Sequence, residues 1–206
     1  MKCVLASSNK HKLDEINKIM NEFNIELITM DEIGLGNLEI VEDGNTFEEN
    51  SFIKAETVRD ITNLPTIADD SGLMVDYLNG EPGIYSARYS GKNASYETNN
   101  TKLLAELSGV GTVDRSARFI TVITLLFPNG DKIVVQGIVE GEISEKICGE
   151  NGFGYDSLFI VKGYGITFAE MDSNLKNQIS HRAKALQELR LKLENYYGDS
   201  NENINS

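Results

Sequence analysis

Two adjacent carboxylates, Asp69 and Asp70, follow a short apolar segment and precede Ser71 and Gly72. The segment Thr66–Ala68 predicts a strand that ends at this acidic pair. Carboxylates at the end of a strand in an α/β sheet can bind a hard cation, and one of them can act as a general base. Aspartate, serine and glycine also favour an ordinary polar turn, so the residues alone leave both interpretations open.

A second candidate site lies between a predicted strand and a predicted helix, in the segment Ser7-Ser8-Asn9-Lys10-His11-Lys12. Free amides at a helix N-terminus bind phosphate, and the hydroxyl and ammonium groups of this segment could complete an anion site. The segment is neither a Walker A loop nor a G-x-G-x-x-G loop. A Ser/Asn helix cap followed by solvated lysines is the competing interpretation, and the local sequence favours it.

Four further segments carry weaker signals. Glu42-Asp43-Gly44 could supply a second carboxylate to a cation, but on its own it is better explained as an acidic surface loop. Lys54 lies on a predicted helix, where a solvated lysine is the ordinary case. Phe153-Gly154-Tyr155-Asp156 offers an aromatic face for stacking on a base, but the local sequence favours a turn with a core aromatic. Ser180-His181-Arg182 puts a cation at a helix N-terminus, where the helix dipole disfavours it. A nearby anionic or polar ligand would explain this placement, and the alternative is a surface arginine that contributes little.

The elements that must position these residues predict an α/β fold. Lys2–Ala6 and Ile25–Met30 predict strands on either side of an amphipathic helix. Thr46-Phe47-Glu48-Glu49 matches a capping box that begins a second helix, and Ser95 could cap another. The chain therefore opens in the order strand, helix, strand.

A long antiparallel hairpin is predicted in the middle of the chain. Ala117–Phe127 and Lys132–Glu140 are apolar strands, and Pro128-Asn129-Gly130-Asp131 is a turn in which Asn-Gly tolerates positive φ. The hairpin argues against a purely parallel sheet and favours a mixed sheet flanked by helices. The last helix is predicted to start near Ser180 and to end at Gly198.

The charge balance excludes several classes of function. Lys plus Arg total 19 and Asp plus Glu total 32, so the net charge is −13, the wrong sign for a protein that coats nucleic acid or a membrane surface. An anionic ligand would need a local cluster of cations or a metal ion. With only 2 histidines, carboxylates are the abundant ligands, and they suit Mg²⁺ or Mn²⁺. No apolar run approaches the ~18–20 residues of a membrane span, and the N-terminal apolar run is too short for a secretory signal, so we expect a cytoplasmic protein.

Six ordered segments together resemble the inosine/xanthosine triphosphate pyrophosphatase family, whose members hydrolyse non-standard purine nucleoside triphosphates. The resemblance covers Lys2 to about Glu194. The segments are Ser7-x-Asn9-x-x-Lys12, Thr46-Phe47-x-Glu49-Asn50 with Lys54-Ala55, Ala68-Asp69-Asp70-Ser71-Gly72-Leu73, Pro82-Gly83-Ile84-Tyr85-Ser86-Ala87-Arg88-Tyr89, Gly152-Phe153-Gly154-Tyr155-Asp156 and Ser180-His181-Arg182.

The resemblance implies an elongated mixed β-sheet flanked by helices, in two lobes with an active-site cleft between them. It implies one such domain over residues 1–198. Residues 199–206 are polar, and we expect this tail to be frayed. It also implies a homodimer and a requirement for Mg²⁺, for which Mn²⁺ could substitute.

The resemblance further implies roles for particular residues. Asp70 resembles the proton acceptor and a metal ligand, with Glu42 and Asp69 close to the metal. Ser7 to Lys12 resembles the triphosphate loop, in which His11 stands where many relatives have glycine. Lys54 resembles a further phosphate-binding cation and Ser71 a substrate contact. The nucleotide- and base-binding positions match Phe153, Gly154, Tyr155, Asp156, Lys176, His181 and Arg182.

The implied reaction is attack of water, activated by Asp70, on the α-phosphorus, with pyrophosphate as the leaving group. A donor that reads the 6-oxo group of hypoxanthine or xanthine would reject the 6-amino group of adenine. Two alternatives stay open. One is a related pyrophosphatase for other modified or pyrimidine nucleotides, and the other is a catalytically silent nucleotide-sensing module, against which the intact Asp69-Asp70 pair argues.

Overall fold

The protein is a mixed β-sheet flanked by helices, in a computed structural model that describes residues 1–7 and 10–202 and leaves out the side chains of residues 10–12, 14 and 199–202. The strands are β1 (Lys2–Leu5), β2 (Glu26–Thr29), β3 (Thr66–Val75), β4 (Ser116–Leu126), β5 (Lys132–Ile143) and β6 (Phe159–Val161). The α-helices are α1 (Lys10–Glu22), α2 (Phe47–Thr62), α3 (Tyr96–Glu106), α4 (Ser173–Ile179) and α5 (His181–Glu202).

The strand order is β2-β1-β3-β4-β5-β6, and both pairing directions occur in the sheet. β1 pairs in parallel with β2 and with β3, with Val4 opposite Ile28 on one side and Thr66 on the other. β6 pairs antiparallel with β5. The predicted mixed sheet is therefore confirmed, and α1 is the crossover helix that joins the parallel strands β1 and β2.

Two predicted helix starts are confirmed by their caps. The Thr46 side chain accepts a hydrogen bond from the Glu49 amide at the start of α2. The Glu49 carboxylate reaches back to the amide of Asn45, at 2.6 Å, one residue earlier than a standard capping box would place it. Ser95 caps α3 in a complete capping box with Thr98.

Two predicted element ends are wrong, and for β3 the cause is strand pairing, which outweighs the local turn signal. β3 does not end at Asp69 but runs through the acidic pair to Val75. α5 continues past Gly198 to Glu202, and residues 203–206 of the predicted tail lie outside the described part of the chain. The predicted turn is confirmed and is closed by the Gly130 amide on the Phe127 carbonyl. Its centre is Pro128 and Asn129, so of the Asn-Gly pair only Gly130, at φ 93°, has positive φ.

Contacts within the chain define two compact units. The first consists of Met1–Asp70, Val122–Gln136 and Ala185–Ser206, and the second of Ser71–Thr121 and Gly137–Lys184. The boundaries fall inside β3, β4, β5 and α5, so each of these elements contributes residues to both units. The assignment of residues 1–198 to one domain stays a prediction.

The first unit buries both faces of its strands. Alternate residues of β1 belong to different clusters: Cys3 and Leu5 pack with residues of α1 and α5, whereas Val4 packs with residues of α2. This alternation follows from the two-residue period of a strand. Because both faces of β1 are buried, its sequence is apolar at consecutive positions and not at alternate ones. Cys3 is fully buried in this core, and burial raises the pKa of its thiol, so the residue packs as a small apolar side chain.

The core of the second unit is rich in aromatic side chains. Phe119, Phe159 and Phe168 are in mutual contact, with ring centroids 4.7–6.0 Å apart. Leu103 and Leu107 of the α3 segment are buried in the same cluster.

Within the described residues, no helix is long and apolar enough to span a membrane.

Candidate active site

The first unit contains a cluster of charged and amide side chains, which we call the acid–lysine cluster: Glu42, Asn50, Lys54 and Asp70. The Lys54 ammonium lies 2.8 Å from Glu42 Oε2 and 3.7 Å from Asp70 Oδ1. Asn50 Nδ2 donates to Asp70 Oδ2 at 3.2 Å. Three residues that the sequence suggested separately, Glu42, Lys54 and Asp70, are therefore brought together by the fold.

Helix α2 positions the two nitrogen donors of this cluster. Asn50 and Lys54 are four residues apart and therefore lie on the same face of the helix. Asn50 is 1% exposed, and its Oδ1 accepts a hydrogen bond from the Gly44 amide at 3.0 Å. A Cβ atom on Gly44 would lie 2.8 Å from Asn50 Oδ1, so the glycine permits the loop that carries Glu42 to approach the helix.

The charges of the acid–lysine cluster do not balance. Two carboxylates share one ammonium, and the side chains of Lys54 and Asp70 are only 13% and 14% exposed, so solvent screens them incompletely. The two carboxylates that converge on Lys54 offer the oxygen ligands that a hard cation prefers. Among the described residues, no group of three or more His, Cys, Asp and Glu side chains is arranged to hold a metal ion without other ligands.

Asp69 and Asp70 differ in their surroundings although they are neighbours. Successive side chains of a strand point to opposite faces, so only Asp70 of the two faces α2. Asp69 is 1% exposed. The proximity of Asp69 to a metal stays a prediction.

The predicted triphosphate loop is only partly described. β1 ends at Leu5 and α1 begins at Lys10, which confirms a strand, loop and helix in this order. Ser7 is half-buried. Ser8 and Asn9, and the side chains of Lys10, His11 and Lys12, lie outside the described residues, so their contact with phosphate stays a prediction.

Ser71, the predicted substrate contact, lies on β3. Its Oγ lies 2.8 Å from Thr121 Oγ1 on β4.

In the second unit, Asp156 shapes the turn Phe153-Gly154-Tyr155-Asp156. Its Oδ2 accepts hydrogen bonds from the Phe153 amide at 2.7 Å and from Lys176 Nζ on α4 at 2.6 Å. Gly152 precedes the turn at φ 79°, and a Cβ atom there would collide with the Asp156 carboxylate. Lys176 Nζ also lies 4.9 Å from the centroid of the Phe153 ring, which is 37% exposed. The turn thus presents an aromatic ring beside a cation.

His181 and Arg182 open α5 and are buried. The His181 ring stacks on Phe119, with centroids 4.7 Å apart and an interplanar angle of 11°. His181 and Arg182 are 8% and 6% exposed, so Arg182 is not an ordinary surface arginine. Ser180 Oγ accepts a hydrogen bond from the Ala183 amide at 3.1 Å, which confirms the predicted start of the last helix.

Asn50 is the member of the acid–lysine cluster that the sequence did not single out as a site residue. It belongs to a motif on which the family resemblance rests, but a buried amide has no charge or nucleophile to suggest a role. Its spacing of four residues from Lys54 was the available signal, because that spacing predicts a shared helix face.

Comparison with known proteins places the chain in a family. The model of the Ham1 family matches residues 3–192. The chain is similar to a protein of Clostridium perfringens named dITP/XTP pyrophosphatase, with 49% identity over 92% of this chain and 95% of the relative. A protein of the same name from Listeria innocua is 48% identical over 91% of this chain and 92% of the relative.

Solved structures agree with this result. The structure of the Staphylococcus aureus Ham1 protein is 42% identical, with a TM-score of 0.89 over 95% of this chain and 100% of that chain. A Mycobacterium abscessus structure described as nucleoside-triphosphatase / dITP/XTP pyrophosphatase is 40% identical, with a TM-score of 0.80 over 92% of this chain and 98% of that chain. Sequence and fold therefore agree over nearly the whole chain, which belongs to the Ham1 family.

Proposed function

We propose that this chain is a pyrophosphatase that hydrolyses non-standard purine nucleoside triphosphates, such as dITP, ITP and XTP, to the monophosphate and pyrophosphate. The observation that carries the proposal is the acid–lysine cluster, set in a fold shared with proteins named dITP/XTP pyrophosphatase. Hydrolysis of a phosphate anhydride needs positive charge around the phosphates and a group that takes a proton from the attacking water. Lys54 and Asp70 are suited to these two tasks.

The same cluster fits a divalent cation. Mg²⁺ is commonly held by one or two carboxylates together with substrate phosphates and water, and Glu42 and Asp70 supply two carboxylates that converge on one ammonium. When bound, the cation would neutralise phosphate oxygens and lower the pKa of a coordinated water. We expect activity to require Mg²⁺ and Mn²⁺ to substitute for it.

Asp70 is the proposed general base. The attacking water loses a proton to an Asp70 oxygen as its own oxygen forms a bond to the α-phosphorus. The bond between the α-phosphorus and the oxygen that bridges to the β-phosphorus breaks, and pyrophosphate leaves. The Asn50 amide, bonded to Asp70 Oδ2, orients the carboxylate so that the other oxygen remains directed towards Lys54.

Lys54 is the proposed phosphate-binding cation of this unit. Its side chain is largely buried, so its charge is less screened than that of a surface lysine. The predicted loop from Ser7 to Lys12 would add the amides and cations of the α1 N-terminus. These groups together would stabilise the charge that accumulates on the leaving pyrophosphate.

Residues of the second unit are the proposed contacts of the nucleoside. The exposed Phe153 ring offers a stacking surface, and Lys176, fixed by Asp156, lies beside that ring. His181 and Arg182 are the proposed polar contacts of the base. A donor that meets the 6-oxo group would exclude adenine by leaving two donors opposite each other.

The test measures which triphosphates are hydrolysed and which bond breaks. Wild-type protein is incubated with dITP, XTP, ATP, GTP and dUTP, with Mg²⁺ or with EDTA, and orthophosphate is assayed with and without added inorganic pyrophosphatase. We expect orthophosphate only with the helper enzyme, and dITP to exceed ATP in kcat/KM by about 10⁴-fold. Comparable values for dITP and ATP, or orthophosphate without the helper, would contradict the proposal.

Isotopically labelled water distinguishes attack at the two possible phosphorus atoms. Attack at the α-phosphorus puts the label in the monophosphate, as we expect. Label in pyrophosphate would mean attack at the β-phosphorus and would exclude the proposed role of Asp70.

The homodimer and the cytoplasmic location stay predictions. Light scattering coupled to size-exclusion chromatography tests the first: the chain has a mass of 22.8 kDa, so a dimer has twice that mass in solution.

A further inference from the structure

One face of α3 contacts the turn that carries Phe153. Asn100 Nδ2 donates a hydrogen bond to the Gly154 carbonyl at 3.0 Å. The Tyr96 ring lies against the Phe153 ring, with centroids 6.3 Å apart and an interplanar angle of 38°. Tyr96 and Asn100 are four residues apart, so both contacts come from the same face of the helix.

Asn100 is buried, yet it satisfies only part of its hydrogen-bonding capacity. It is 5% exposed, and within the described residues its Oδ1 has no hydrogen-bond partner. A buried acceptor without a partner destabilises the folded state, whereas an apolar side chain of similar volume would not carry that penalty. Packing alone therefore does not explain an asparagine at this position, and the hydrogen bond to Gly154 remains as its contribution.

The other side of the same turn is fixed by the Pro82–Tyr89 segment. The Tyr155 hydroxyl donates to the Ser86 carbonyl at 2.9 Å, and Asn99 Nδ2 donates to the same carbonyl at 3.3 Å. Burial raises the pKa of Tyr155, so its hydroxyl stays protonated and remains a donor. Hydrogen bonds thus hold both Gly154 and Tyr155. The ring of the preceding residue, Phe153, stays partly exposed.

We propose that Asn100 and Tyr96 are positioning residues for substrate binding: they hold the Phe153–Gly154 turn so that the Phe153 ring is presented to the base. The inference rests on the proposed function for its kinetic consequence, but the contact itself can be tested without substrate. Neither residue is assigned contact with the reacting atoms, so the effect falls on binding of the nucleoside and not on bond breaking.

The kinetic test uses Asn100→Leu, which keeps the volume and removes the donor together with the unsatisfied acceptor. We expect KM for dITP to rise about threefold to tenfold, the range that one hydrogen bond supplies, while kcat changes less than about twofold. The melting temperature should stay at or above that of wild type, because the unsatisfied acceptor is gone and the half-buried Gly154 carbonyl can bind water. A residue with only a structural role would lower the melting temperature and leave KM unchanged.

A second variant covers the case in which Asn100→Leu does not fold. Tyr96 is 58% exposed, so Tyr96→Leu is compatible with folding, and it should raise KM about twofold to fivefold through loss of the aromatic contact. Thr101→Ala is the matched control, because Thr101 lies on the same helix and its hydroxyl donates to the Glu97 carbonyl one turn earlier. We expect the control to keep the wild-type KM.

A fluorescence measurement tests the contact independently of catalysis. The chain has no tryptophan, so Phe153→Trp introduces a single reporter at the turn. We expect acrylamide quenching and fast depolarisation of this tryptophan to increase when Asn100→Leu is added, and not when Thr101→Ala is added. Unchanged fluorescence together with KM within about twofold of wild type would overturn the inference. If wild type hydrolyses no dITP, the proposed function fails, and the fluorescence comparison still decides whether Asn100 positions the turn.

Discussion

Each unit of the protein contains an aspartate in contact with a lysine, and the two pairs are built differently. In the second unit, Lys176 Nζ lies 2.6 Å from Asp156 Oδ2, and the Asp156 side chain is 5% exposed. In the first unit, Lys54 Nζ lies 3.7 Å from Asp70 Oδ1 and closer, at 2.8 Å, to Glu42. One aspartate is fully engaged, while the other shares its lysine with a second carboxylate.

The two aspartates therefore differ in role: Asp156 holds a turn in place, whereas Asp70 does not. Asp156 also binds the Phe153 amide, so its charge is used to hold a turn. The Asp70 carboxylate accepts from the Asn50 amide and lies 3.7 Å from an ammonium that is closer to Glu42, so its described contacts hold no turn.

The largest expected effect is on activity, from Asp70→Asn. Loss of the general base should lower kcat about 10²–10⁴-fold, measured as pyrophosphate released from dITP. The free energy of unfolding should change by less than about 0.5 kcal/mol, because removing one of two like charges offsets the weak contact with Lys54. Asp60→Asn makes the same charge change at an exposed position and should keep full activity. An Asp70→Asn protein within a few-fold of wild type would remove Asp70 from the mechanism.

For Asp156→Asn we expect mainly a loss of stability, and not a large loss of kcat. This change breaks a charge-assisted hydrogen bond to Lys176, so the free energy of unfolding in urea should fall by about 1.5–3 kcal/mol. KM for dITP should rise as well, since Phe153 and Lys176 lose their common anchor. If Asp156→Asn is as stable as Asp70→Asn, the distinction between the two aspartates is wrong.

A smaller effect is expected for Lys54→Met. Removing the ammonium should raise KM for dITP about tenfold, since a charge-assisted contact with phosphate is lost. Lys132→Met is a matched control in the same unit, because it changes the net charge equally and the Lys132 ammonium lies 5.8 Å from the centroid of the Phe52 ring. Equal KM values for the two variants would mean that Lys54 pairs with Glu42 but does not bind phosphate.

The smallest expected effect is on stability and comes from the Tyr155 hydroxyl, which donates to the Ser86 carbonyl. Tyr155→Phe should lower the free energy of unfolding by about 1 kcal/mol at pH 7. The folded-state pKa of Tyr155 is raised by burial, so the unfolded state loses this proton first and stability is lost as the pH rises above about 10. The variant lacks this group, so its stability should fall less steeply above that pH than that of wild type. Parallel curves would show that Tyr155 does not titrate differently in the two states.

Helix starts were predictable because their contacts lie within a few residues. Thr46 and Ser95 each bind an amide three residues ahead, so residue types at fixed spacing were sufficient. The candidate residues Glu42, Lys54 and Asp70 were also recognisable by charge and by their place in an ordered set of motifs. Their convergence was not, because it depends on the contact of α2 with β3, and the sequence separation of 20 residues between Asn50 and Asp70 carries no local signal.

The sequence by itself determined the opening order of strand, helix and strand, the starts of α2, α3 and α5, the acidic charge and the family, since periodicity, composition and motif order need no knowledge of contacts. It did not predict α4. Only the tertiary structure decided that the Asp69–Gly72 segment is strand and not turn, because pairing with neighbouring strands outweighs the weak preference of aspartate and glycine for turns. It likewise decided that Asp70 faces α2, and that Asn100 reaches Gly154 across 54 residues of sequence. Such contacts are set by how elements pack, and a buried amide reveals its role only through the partner that the fold places beside it.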